Sequence, residues 1–371
     1  MEVNFHPPQF LISVVREIEG QEKVESDFLL RAIRVKNTTK KPVHVIKYCF
    51  DLRSKGKSQK KVSYSEEIVK KRSLALLELK ERLMTGRRGI KETLRKGNLL
   101  LLMGTEKFWD KDQVSTNTLE PNQETGFLHE HFRIPTAEPI DELVFTVVYI
   151  KENEQKNATI RIPVTQYERK NQYIFPLKGI WMVLGNWNDP YDHRTHHSQE
   201  FGFDLVQLDG NMQFVQNQEK PNKEYPCYGQ NIMAIADGEV VDCLDGSPEN
   251  PSAGALLPKE RRIRLLQEQG LLSLANGNFV VLEHHGGEFS FYGHMSPGLQ
   301  VKKGDKVKQG QILGKVGNSG HSTGPHLHFH LMDGPNILAA RGLPCYFTNV
   351  RNFFGEPVEF IEYDGLIVHI D

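Results

Sequence analysis

The chain has 371 residues, a length that at roughly 100–200 residues per domain fits two or three domains with room for a sizeable core. Hydrophobic residues make up 38% and charged residues 25%, and 46 basic against 47 acidic side chains leave a net charge of −1. That balance excludes wholesale disorder and the positive excess of a nucleic-acid-binding chain, so no nucleic-acid partner is expected. No apolar run approaches the ~18–20 residues needed to cross a bilayer as a helix, and no transmembrane segment is expected. The N-terminal run Phe10–Val15 follows Glu2, Pro7 and Pro8 and lacks both a basic flank and a small-residue cleavage site, so it does not read as a signal peptide. The four cysteines, Cys49, Cys227, Cys243 and Cys345, form no C-x-x-C pair and are too sparse for a disulfide scaffold. Cys227 and Cys243 are candidates to pair only in an oxidising compartment.

A change of character near residue 165 predicts two domains, 1–165 and 166–371. In the first, Phe28–Val35, Val43–Leu52, Phe127–Ile134, Leu143–Ile150 and Ala158–Val164 read as strands separated by turn chemistry such as Asn37-Thr38-Thr39-Lys40. Their spacing predicts a β-sandwich of Ig-like type. Between the second and third strands the pattern predicts a helix over Tyr64–Met84, opened by Ser63 with Glu66 three residues on, a capping box. Val69, Leu76, Leu79 and Leu83 would line its apolar face. Arg53–Lys96 carries 15 basic and 5 acidic residues, which reads either as a patch for an anionic polymer or as a solvated helix face with basic flanks.

In the second domain Ala234–Asp242, Asn278–Glu283, Phe289–His294 and His326–Met332 read as strands, so the chain as a whole is expected to be mainly β. Pro258–Leu274 is rich in Arg, Gln and Leu and reads as a helix inserted between two strands that can pair without it. The tail from Cys345, ending in apolar Leu366–Ile370, is expected to pack back on one of the domains.

Ten of the fifteen histidines lie between His193 and His330, so that region uses imidazole. In Gly317-Asn318-Ser319-Gly320-His321-Ser322-Thr323-Gly324-Pro325-His326-Leu327-His328-Phe329-His330, strand alternation sends His326, His328 and His330 to one face. Histidines on one strand hold a metal only with partners from elsewhere, and a catalytic zinc takes three protein ligands with a fourth position open. The upstream candidates lie in His193-Arg194-Thr195-His196-His197-Ser198-Gln199-Glu200-Phe201-Gly202-Phe203-Asp204, where alternation around Phe203 and Leu205 makes Asp204 the inward polar residue. His294 ends another strand. His284 and His285, beside a Gly-Gly turn, read as structural.

These segments resemble the lysostaphin-type zinc endopeptidases, the LytM-domain family. Tyr292-Gly293-His294, the hairpin Val301–Gly314 and the loop and strand Gly317–His328 carry the resemblance, which covers Tyr225–Leu343 well and Gly185–Asp209 more loosely. The resemblance implies a folded antiparallel sheet of the duplicated-hybrid-motif kind and a Zn2+ cofactor. By it, Asp204 and His328 would be metal ligands and His294 and His326 unligated catalytic histidines. The first ligand departs from the family's commonest spacing of three intervening residues: His193, His196 and His197 stand eleven, eight and seven positions before Asp204. His193 is favoured, with His197 as the alternative.

The resemblance further implies a metalloendopeptidase acting on the peptide stem or cross-bridge of peptidoglycan, which suggests an extracytoplasmic location despite the missing signal. The N-terminal domain would position substrate or occlude the groove. A rival reading is a catalytically silent relative that binds wall peptides or activates another hydrolase; such relatives usually lack a metal residue, whereas here a complete set can be assembled. Val301–Gly314 also resembles the hairpin of biotinyl and lipoyl carriers, but no modifiable lysine in a Met-Lys-Met-like context is present. Gly310–Lys315 falls short of a phosphate-binding loop because Val316 stands where Ser or Thr is needed. No H-E-x-x-H occurs, and His129-Glu130-His131 lies in the first domain without an evident partner.

Overall fold

The computed structural model describes residues 1–85, 89–188, 193–209, 220–362 and 367–370. The chain divides into one unit of Met1–Leu99 with Thr105–Glu168 and a second of Arg169–Asp371 with Leu100–Gly104. Residues 86–88 of the basic segment and Leu366 of the tail lie outside the described residues.

In the first unit the apolar stretches become strands longer than the apolar pattern alone: Val24–Lys36, Val43–Ser54, Glu124–Thr136, Glu142–Lys151 and Glu154–Gln166. Hydrogen-bonded pairing carries each past its apolar core, as where Val24–Lys36 runs against Glu124–Thr136 from Val24↔Thr136 to Lys36↔Glu124. Glu2–His6 and Leu11–Glu17 also form strands, and Leu11–Glu17 pairs in parallel with the end of Glu154–Gln166, joining two leaves of sheet. Phe127 and Phe132 of one leaf meet Tyr48 and Phe50 of the other, with ring centroids 5.4 Å apart for Tyr48–Phe127 and 5.3 Å for Phe50–Phe132.

The helical segment differs from its expectation. Lys57–Tyr64 is an exposed strand on Val43–Ser54, with Ser63 opposite Cys49; its lysine-rich edge is polar enough to hide from an apolar-pattern reading. The helix therefore starts later, at Glu66, after an N-cap Ser65 that makes no side-chain bond. The expected capping box does not form, because Ser63 is committed to the sheet and Glu66 turns to His44 (Nε2···Oε1 2.7 Å). The helix Glu66–Leu79 runs into a π-turn, Lys80–Met84, whose extra residue per turn shifts the phase so that Met84, not Leu83, is buried. A second helix, Ile90–Met103, was not predicted.

The second unit is built on an antiparallel sheet whose strands lie in the order Lys306–Val307, Gly238–Leu244, Asn278–His284, Glu288–Met295, Leu327–Met332, Phe203–Val206, Gly179–Asn186, Ile367–Ile370 and Val350–Asn352. The tail thus packs on this unit, pairing with Gly179–Asn186. The strand expected over Ala234–Asp242 is interrupted: Asn231–Met233 pairs with Ile312–Lys315, and the main sheet resumes at Gly238. There a Cβ would stand 2.5 Å from the Glu283 carbonyl oxygen, so the close approach needs glycine. The inserted helix Lys259–Asn276 sits between Gly238–Leu244 and Asn278–His284, which pair without it. All four cysteines are free; the Cys227–Cys243 pair does not form.

Candidate metal centre

Strand Leu327–Met332 lies between Phe203–Val206 and Glu288–Met295, and the register sets His328 opposite both Asp204 and Gly293. Directly opposed residues hold their Cβ atoms ~4.5–5.5 Å apart on one face, so the sheet itself brings His328 and Asp204 together. His328 Nδ1 stands 2.8 Å from Asp204 Oδ1. His193, on the short 3-10 turn His193–Thr195, stacks its ring on His328 with centroids 5.0 Å apart. Its Nε2 lies 3.1 Å from His328 Nδ1 and 3.3 Å from Asp204 Oδ1.

These three atoms form a nearly equilateral triangle. A point about 2 Å from each, the Zn–N and Zn–O bond length, lies roughly 1 Å off its plane, so the residues fit a zinc ion as they stand. Two imidazoles and one carboxylate are also the donor set of a catalytic zinc. Asp204 keeps 24% of its side-chain surface exposed, against 7% for His193 and 5% for His328, so the centre opens on the carboxylate's side. Among the described residues this is the group whose ligand atoms converge in this way.

His196 and His197 are placed otherwise. His196 Nδ1 faces Gln199 Oε1 at 3.0 Å. The backbone N–H of His197 donates to the Leu101 carbonyl and its own carbonyl accepts from Gly342. Its ring packs against Gly104, where a Cβ would lie 2.2 Å from Cδ2. Leu101 and Gly104 belong to the segment assigned to this unit.

Two further imidazoles flank the triangle. His326 Nδ1–H donates to the Gly324 carbonyl at 2.8 Å, and its Nε2 faces Asp204 Oδ1 at 3.6 Å. His294 Nδ1–H donates to the Ser319 carbonyl at 2.8 Å. Plain alternation would turn His294 away from the face used by His328. Its left-handed backbone (φ +59°) redirects it, so its ring centroid lies 4.6 Å from that of His326 and 6.0 Å from that of His328.

The loop before the histidine strand explains its own residues. A Cβ on Gly317 would stand 2.3 Å from the Ser296 backbone nitrogen, and Gly320 has φ +76° with its absent Cβ 2.3 Å from the Gly277 nitrogen. Ser319 Oγ donates to the Met295 carbonyl and accepts from the Asn278 N–H. Asn318 is buried, its N–H on Glu249 and its amide on Asn222. The loop is thus a scaffold that aims the Ser319 and Gly324 carbonyls at His294 and His326, a role the sequence did not disclose.

Burial works to raise the Asp204 carboxyl, but the His326 and His193 imidazoles, with the contacts to His193 and His328, outweigh it and hold the group well below the usual carboxylate range. Burial, reinforced by His326 and His328, pushes His294 well below the usual imidazole value. Burial likewise lowers His328. His330, the third histidine of the strand, lies on the far side of His328, its Nδ1 3.0 Å from His328 Nε2. His284 is engaged at both nitrogens by the Asp237 carbonyl and Ser290 Oγ, and His131 by the buried Asp27 carboxylate.

Residues 264–338 match the profile of Peptidase family M23. Peptidoglycan DD-endopeptidase ShyA of Vibrio cholerae is 50% identical over 56 residues, which are 15% of this chain and 13% of that protein. Glycyl-glycine endopeptidase ALE-1 of Staphylococcus capitis is 44% identical over 105 residues, 28% of this chain and 22% of that protein. The chain therefore spans less than a quarter of the length of these curated relatives. Among solved structures, the catalytic domain of lysostaphin from Staphylococcus simulans aligns over 47% of this chain and 88% of its own, at 23% identity and a TM-score of 0.24. His294, His326 and His328 lie inside the matched segment and His193 and Asp204 upstream of it, so the second unit contains a segment of the Peptidase family M23 kind, similar to the lysostaphin-type peptidases.

Proposed function

We propose that the second unit is a zinc-dependent endopeptidase that hydrolyses peptide bonds in the stem peptides or cross-bridges of peptidoglycan. The observation that carries this is the convergence of His193 Nε2, Asp204 Oδ1 and His328 Nδ1 beside two imidazoles held through Nδ1 by backbone carbonyls. The substrate class follows the names of two relatives, one a peptidoglycan endopeptidase and one a glycyl-glycine endopeptidase.

In this reading His193, Asp204 and His328 hold the ion. Zinc in such a setting supplies Lewis acidity towards a peptide carbonyl and brings the pKa of water down to ~7. The protein's own part is proton handling. His294 and His326 each carry one proton on Nδ1, fixed by a backbone carbonyl, and each offers Nε2 as acceptor. One takes the proton of the attacking water, and a protonated imidazole then passes it to the departing amine, so that the amine leaves neutral. Fixing both tautomers beforehand removes a reorientation from the reaction. In this reading an extended peptide reaches the centre on the side where Asp204 keeps 24% of its side-chain surface exposed.

The test is mass spectrometry of products from soluble muropeptides and a pentaglycine peptide, incubated with zinc-loaded protein with and without chelator. Chelator-sensitive cleavage is expected and names the bond. A zinc-loaded protein that cleaves neither substrate would overturn the reading in favour of a peptide-binding module.

A further inference from the structure

The sequence pattern sets His330 on the same face as His326 and His328 but assigns it nothing. It is 1% exposed, stacks on Phe291 with centroids 4.7 Å apart and planes at 22°, and meets His328 Nε2 with its own Nδ1 at 3.0 Å. Its Nε2 is buried and has no hydrogen-bond partner among the described residues.

From this geometry we infer that His330 is a positioning residue that sets the tautomer and ring orientation of His328 for metal binding. The inference rests on the metal-centre reading above. His328 turns Nδ1 towards Asp204 and His193, and a nitrogen that ligates a metal carries no proton. A neutral imidazole has one N–H, so in the loaded centre that proton sits on Nε2, where the hydrogen-bonding partner among the described residues is His330 Nδ1. His330 must therefore accept, which places its own proton on the buried Nε2. Leaving a buried donor without a partner is costly, and stacking on Phe291 holds the ring in the orientation that bears this cost. Metal-ligating histidines ordinarily donate their second N–H to a carboxylate, carbonyl or water. Here a neutral imidazole fills that place, so it orients His328 without adding a negative charge to the centre.

The experiment compares the full chain with His330→Leu and His330→Asn. Leucine keeps an apolar side chain against Phe291 and removes the acceptor. Asparagine offers Oδ1 at nearly the position of Nδ1. Zinc dissociation constants from chelator competition and the visible spectrum of the cobalt-substituted protein are read beside the thermal unfolding of each metal-free variant. Loss of an outer partner of this kind typically weakens metal binding 10–100-fold. That loss is expected for His330→Leu, together with a changed cobalt spectrum, and recovery of most of it for His330→Asn. Nitrogen-15 NMR of the zinc-loaded wild type is expected to find His330 neutral with its proton on Nε2. A folded His330→Leu protein with wild-type zinc affinity and cobalt spectrum overturns the inference, as does an His330→Asn protein as impaired as His330→Leu, since packing alone would then explain both. A wild-type chain that binds no zinc brings down the metal-centre reading itself, a result separate from either variant's.

Discussion

Replacing His294 with asparagine separates proton transfer from metal binding. His294 sits at φ +59°, where alanine would add roughly 1–2 kcal/mol of backbone strain, whereas asparagine is one of the few side chains that tolerates this region. The asparagine amide can also still donate to the Ser319 carbonyl, the bond that His294 Nδ1 makes at 2.8 Å. What disappears is Nε2. If that nitrogen carries the proton in the rate-determining step, its loss costs ~10²–10⁴ in turnover, about 2.7–5.4 kcal/mol at 1.36 kcal/mol per tenfold. Zinc is expected to be retained, because His294 is not among the three residues whose ligand atoms converge. The assay is the initial rate of cleavage at the bond identified with wild-type protein, alongside chelator competition for zinc. Turnover near the wild-type value with zinc retained would refute the proton-carrier role; joint loss of zinc and activity would make His294 a ligand.

The ligand assignment predicts that His193→Ala, Asp204→Ala and His328→Ala each lose zinc and activity together, while His197→Ala, whose ring packs on Gly104, retains zinc. Metal analysis showing full zinc in Asp204→Ala and none in His197→Ala would reverse it. Gly317→Ala drives a Cβ to 2.3 Å from one backbone atom and 2.6 Å from another, so a loss of about 3 kcal/mol or more is expected, read as a fall of roughly 6–12 °C in Tm; an unchanged calorimetric Tm would show that the loop yields. His284 is neutral and buried, and burial lowers its pKa below that of the unfolded chain. The unfolded state thus takes up the proton first, so this contribution is complete above pH ~6.5 and fades as the pH falls from there through the lower folded value. Urea unfolding of the metal-free chain at pH 7.5 and 5.0 should show a smaller acid loss in His284→Gln than in wild type; equal losses would remove His284 from that account.

The mainly β character of the chain and the helix inserted in the second half were legible in the sequence, and so were the candidates for the site, because alternation and imidazole clustering are local patterns. The register of the sheet was not. His328 faces Asp204 through pairing across 124 residues, and only the assembled strands place a turn residue as distant as His193 over that pair. The choice between His193 and His197 was equally beyond spacing, since it depends on which ring packs against Gly104 and which backbone carbonyl Gly342 takes up. The capping box at Ser63 failed because pairing with Cys49 engaged that residue first, a tertiary demand overriding a local signal. His294 reaches the site only through a backbone conformation that alternation cannot foresee. The tautomers of His294 and His326 depend on two carbonyls of one glycine-rich loop. Residue identity determined which groups the chain can offer; the direction of each ring nitrogen was decided by the fold, because hydrogen bonds and sheet register are long-range properties.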